Sequence, residues 1–188
     1  MSLVGRPSIV AAAVVTCATG GFIAGASAQD SKSAAIAKEL VQTLDAAKLE
    51  AIAAPDPATP GVFVAAMYIP GSELLVVSAK YAAPPLLVDR ITAKDYQSVY
   101  VDLQSASVRG SKVFVQDQGA DGLVAKPSGD QPADSWEDGD KSVSFDGDWK
   151  KAKIAEAEYT KSFTAADDRY AKMLAMLLAQ AKKAKAGS

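Results

Sequence analysis

The chain of 188 residues contains no histidine, and its single cysteine, Cys17, lies near the start. Those absences remove Ser-His-Asp and Cys-His nucleophilic catalysis, zinc sites of the usual His and Cys types, and thiol redox catalysis. No serine is followed three positions later by lysine, and no tyrosine precedes a lysine by four. Neither a glycine-rich dinucleotide loop nor a phosphate loop ending in Gly-Lys occurs. An active site would have to use carboxylate, lysine, tyrosine or arginine chemistry, or a bound cofactor, so the reading leans away from an enzyme.

Acids are missing from Ser2 to Ala28, which holds one base, Arg6, then the apolar stretch Ile9 to Ile23, then Ala26-Ser27-Ala28. A basic start, an apolar middle and small residues at the end are the parts of a secretory signal in order. Cleavage is expected after Ala28, leaving 29–188 as one domain in the periplasm or outside the cell. An apolar stretch built of Ala, Gly, Thr and Ser inserts weakly, which favours cleavage over an anchor. Without Arg6 the 22 acids face 19 bases, a net charge of about −3, with both signs interspersed. Nucleic acid and anionic membrane are therefore not the expected partners, and no membrane span is expected in the mature chain. Hydrophobic residues make up 49% and charged residues 22% of the chain, the balance of an ordinary folded domain.

Ser31 and Ser33 offer helix caps, and Ile36, Leu40, Val41, Leu44 and Ala47 recur at helical spacing until Pro55 and Pro57. Val62 to Ile69 and Leu74 to Tyr81 are β-rich runs separated by Pro70-Gly71-Ser72-Glu73, which predicts a hairpin with a four-residue loop. Pro84-Pro85 opens a short helical stripe over Leu86 to Asp95, and Val99 to Leu103 and Val113 to Asp117 read as the third and fourth strands. From Asp130 to Asp148 seven acids accompany one base. An exposed acidic loop is expected at about 126–148, with a brief strand candidate at Val143 to Phe145. Two C-terminal helices are expected, Trp149 to Lys161 and Asp167 to Lys185, the second opened by a capping-box-like Thr164 and Asp167. The fold class is α+β, a small, mostly antiparallel sheet or split β-barrel with an N-terminal helix and these two helices packed on it.

Asp138-Gly139-Asp140 and Asp146-Gly147-Asp148 place oxygen ligands at spacings that hard cations accept. Read as a calcium loop from Asp138, the sixth position is Val143 and the twelfth Trp149, where glycine and glutamate are needed, so solvated turns are the better reading and no metal is expected. Asp117-Gln118-Gly119-Ala120-Asp121-Gly122 closes the fourth strand, and Asp and Gly there are what a tight turn requires. Arg90, Lys94, Arg109 and Lys112 are read as separate surface charges rather than as an anion site.

The order of elements from Ala34 to Val124 resembles the opening of the split β-barrel of flavin-binding, pyridoxamine-phosphate-oxidase-like proteins. That resemblance implies FMN as a cofactor, with Ser78, Lys80 and Arg90 as the residues holding its phosphate. Tyr100-Val-Asp-Leu103 with Lys112-Val-Phe-Val and Gly119-Ala-Asp-Gly122 also resembles exported bacterial proteins, which implies an address and no mechanism. The expected role is a non-catalytic domain that binds a ligand or partner in the bacterial envelope, acting without a cofactor. The alternatives are a flavin-binding oxidoreductase-like protein and an interaction protein whose C-terminal helices dock a partner or a second copy as a homodimer.

Overall fold

In the computed structural model, residues 31–81 and 111–186 are described. Helix α1 (Ala34–Ala47) turns Ala37, Leu40 and Leu44 inward at the three- and four-residue spacing of one helical face. It ends where Lys48 enters the left-handed region at φ 52° and its N–H reaches back to the Asp45 and Leu44 carbonyls. Strand β1 (Ala51–Pro55) follows at once. The sequence reading runs the helical pattern on toward Pro55, and the structure corrects it. Ala-Ile-Ala-Ala favours helix by local propensity, and pairing with β2 overrides it.

Strands β2 (Val62–Ile69) and β3 (Leu74–Tyr81) form the expected hairpin, with Pro70 to Ser72 in a single 3-10 turn and Glu73 at φ 45°. Strand β4 (Ser111–Gln118) pairs antiparallel with β3. Strands β5 (Ser135–Asp138) and β6 (Lys141–Ser144) extend the sheet as a second hairpin. Among the described residues, six strands lie in sequence order in one antiparallel sheet. The expected α+β class holds in this form. A closed barrel is not among the described pairings. The expected helix at Leu86 to Asp95 and the strand at Val99 to Leu103 lie outside the described residues.

The stretch expected as an exposed acidic loop carries the β5–β6 hairpin, and most of its residues are exposed or partly exposed. Its acids project outward for the most part, but Asp134, Trp136 and Phe145 are buried. Phe145 is fully buried and meets the rings of Tyr159 and Phe163 edge-on, at centroid distances of 5.9 and 5.2 Å.

One C-terminal helix, α2 (Glu156–Ala186), stands where two are expected among the described residues. Residues 149–154 form turns before it. Thr164 caps nothing: its Oγ donates to the Thr160 carbonyl one turn back, inside a continuous helix. Tyr159, Phe163, Tyr170, Leu174, Leu177 and Ala181 run along its buried stripe. Helices α1 and α2 pack together on one face of the sheet, over Ile52, Val64, Leu75, Val77 and Val115. Each large apolar side chain so buried contributes roughly 1.5–3 kcal/mol. Ala51, Ala53 and Ala65 gather on the opposite face with Met67 beside them.

Phe145→Ala should therefore cost about 3–5 kcal/mol, as truncation of a fully buried ring does. Urea unfolding measures it, and an unchanged midpoint would place Phe145 in a solvated loop instead.

Candidate functional site

Two features stand apart from the apolar core: a set of buried carboxylates and a cleft. Asp117 ends the inward-facing row Val113, Val115 of β4 and is fully buried. Its Oδ1 accepts the Asp121 N–H at 3.2 Å, and its Oδ2 accepts the Gly122 N–H at 3.0 Å and the Tyr170 hydroxyl at 2.9 Å. The Asp-Gly turn read from the sequence is thus closed by its own first residue. Asp134, also fully buried, accepts the Gln118 N–H at 2.8 Å and the Val124 N–H at 2.7 Å, one on each oxygen.

Asp167 of α2 completes the set. It accepts the Lys32 N–H at 2.7 Å, the Ser33 N–H at 3.1 Å and the Ser33 hydroxyl at 2.6 Å. The Ser33 oxygen in turn accepts the Leu123 N–H at 2.9 Å. Asp167, expected as part of a helix start, instead holds the chain that enters α1. Gly122 makes this meeting possible. It sits at φ +93°, and a Cβ there would lie 2.5 Å from the Ala34 nitrogen.

Burial pushes the Asp117 carboxyl up to about 8, helped by the Asp134 charge and resisted by the Tyr170 hydroxyl and the Gly122 amide. Burial likewise raises Asp134 to about 7 against the Val124 and Gln118 amides. The Tyr170 hydroxyl is raised well above its ordinary value by burial and by Asp117. Displaced carboxyls often mark active sites. Here all six carboxylate oxygens already accept protein donors, and none of the three residues lines the cleft. A general base must reach the proton it removes, and these carboxylates are committed to the backbone.

The cleft has a volume of about 460 Å³ and lies between the β1–β2 connector and α2, within the usual range for small-molecule sites. Val62, Val64 and Ala79 of the sheet form its floor, and Met173, Ala175 and Met176 one wall. Asp56 to Thr59 form the other wall. The Asp56 carboxylate accepts the Ala58 N–H at 2.8 Å, closing its own turn as the prolines around it stiffen the connector. Arg169 and Lys172, three residues apart on α2, bring positive charge to the cleft. Arg169 pairs with Asp138 at the tip of the β5–β6 hairpin, and its guanidinium lies 6.0 Å from the Trp136 ring centre.

Of the residues expected to hold a flavin phosphate, Ser78 is on β3, on the sheet face opposite Val77 and Ala79. It is 1% exposed, and its hydroxyl has no partner among the described residues. Lys80 follows on the same strand, but its side chain is outside the described residues, as is Arg90. The Asp146 carboxylate closes a turn on the Asp148 N–H and pairs with Lys151. Among the described residues, no group of three or more Asp, Glu, His or Cys could hold a metal ion. Reading the sequence alone missed Asp134, Asp167, Arg169 and Lys172. Their roles depend on partners far along the chain, and nothing local distinguishes them from surface charge.

Gly122→Ala should cost about 1–3 kcal/mol from its backbone conformation alone, and more where the α1 backbone cannot yield. Stability should also fall with rising pH. Asp117 and Asp134 titrate near 3.8 when unfolded and near 8 and 7 when folded. Between those values the folded chain keeps protons that the unfolded chain has lost. Their contribution is full below about pH 4 and is lost as pH rises through the folded values. Urea unfolding should show the protein more stable at pH 5 than at pH 8.5, by more than about 1 kcal/mol. Stability that rises over that range would contradict the assignment.

Compared with known proteins, the chain matches no family model, no curated protein and no solved structure.

Proposed function

We propose that this chain is a non-catalytic binding protein of the bacterial envelope or exterior that takes a small, mainly apolar molecule into the cleft beside α2. The cleft carries the reading: an apolar floor and wall, with charged groups only at a few points, is how small-molecule sites are generally built. The buried carboxylates support the same reading, because the residues best suited to acid–base chemistry are turned into the backbone. The composition of Ser2 to Ala28 supports export.

A partner docked on the C-terminal helix is less well supported, because the apolar stripe of α2 is buried against α1 and the sheet. A flavin held by Ser78, Lys80 and Arg90 would use a different part of the molecule, since Ser78 faces away from the cleft.

The neutral fluorophore N-phenyl-naphthylamine, titrated into the mature chain, should bind saturably with a dissociation constant in the micromolar range, on the order of −8 kcal/mol. Ala175 is an exposed helical residue lining the cleft, so Ala175→Trp should fill the site without unfolding the domain. Binding should weaken at least tenfold while the melting temperature stays within a few degrees. No saturable binding, or binding indifferent to Ala175→Trp, would overturn the reading.

A further inference from the structure

We infer that the cleft selects a single-chain amphiphile with an anionic head, its tail lying on the apolar floor and its head meeting the Lys172 ammonium. The inference rests on the cleft being a binding site and adds the class of ligand.

The tail side of the argument is the lining. Val62, Val64 and Ala79 present aliphatic surface, and Met173 and Met176 are unbranched and polarisable, suited to following a flexible chain rather than one rigid shape.

The head side is a charge balance. Among the described residues, three charged groups line the cleft: Asp56, Arg169 and Lys172. Arg169 is already paired with Asp138. The Asp56 carboxylate is engaged by the Ala58 amide in its own turn. Lys172 has no ion pair among the described residues, and it is exposed on the same helical face as Met173 and Met176, one turn or less away. A long alkyl stem lets such an ammonium lie across an apolar surface while its charge stays at the edge. An anionic head would supply the counter-charge that the described residues do not. A cationic head would meet the like charge of Lys172, and a neutral one would leave Lys172 unpaired. The occupant is a free carboxylate amphiphile rather than a bilayer surface, because the lining is a pocket closed on two sides by the connector and α2 instead of a flat apolar face.

The test is displacement of N-phenyl-naphthylamine from the mature chain by decanoate, decanol and decyltrimethylammonium, all below their micelle concentrations. Decanoate should compete about two- to fivefold better than decanol, the order expected for an exposed ion pair, and the ammonium should compete worst. Lys172→Ala should remove the decanoate advantage over decanol. Lys172→Glu should reverse the order, and added salt should narrow it. Both variants change an exposed side chain, and a matching thermal melt confirms that each is folded. Equal competition by decanoate and decanol, or a decanoate advantage that survives Lys172→Ala, would overturn the inference while leaving the cleft a binding site. Failure of the fluorophore to bind wild type would overturn the site itself, and this inference with it.

Discussion

The fold depends on carboxylates buried where most proteins would place apolar groups. A carboxyl group taken out of water is costly unless hydrogen-bond partners replace its hydration, and burial here keeps Asp117 and Asp134 protonated to higher pH than usual. Asp117, Asp134 and Asp167 meet that condition with backbone amides: those of residues 32 and 33 ahead of α1, and of residues 118, 121, 122 and 124 after β4. Irregular chain that would otherwise carry unpaired N–H groups is thereby fastened to β4, β5 and α2. Ser33 joins two of the fastenings, since it donates to Asp167 and accepts from Leu123.

That arrangement keeps the carboxylate set apart from the cleft. Asp117 lies opposite Leu75 near the start of β3, whereas the cleft reaches Ala79 near its end, roughly 13 Å further along the strand. Helix α2 serves both places with different faces. Asp167 and Tyr170 point into the carboxylate set, and Arg169, Lys172 and Met176 border the cleft. Groups whose titration would suggest chemistry are inaccessible, and the cleft offers apolar surface bordered by Asp56, Arg169 and Lys172.

Elements stabilised by their own neighbours were legible in the sequence. The β2–β3 hairpin follows from two β-rich runs around Pro70 to Glu73, α1 from its apolar spacing, and β4 from Val113 to Asp117. The Asp117 to Gly122 turn was equally plain. What escaped depends on distant partners. The alanines of β1 become a strand only through β2, and β5 sits in acidic sequence whose inward residues are few. Thr164 and Asp167 imitate a helix start, but Asp167 is used by residues 134 and 135 positions earlier in the chain. The cleft left no local signal, because Arg169 and Lys172 lie on a helical face that reads as solvated.

Hydrogen–deuterium exchange resolved to short segments tests the role of the carboxylates most directly. The amides of Lys32 and Ser33, and those of Gln118, Asp121, Gly122 and Val124, lie in irregular chain or at a strand end, where exchange is usually fast. If the carboxylates fasten them, they will exchange as slowly as the central amides of β2 and β3. Exchange near the rates of an unstructured peptide would mean that these segments open freely and that the fold rests on its apolar core alone.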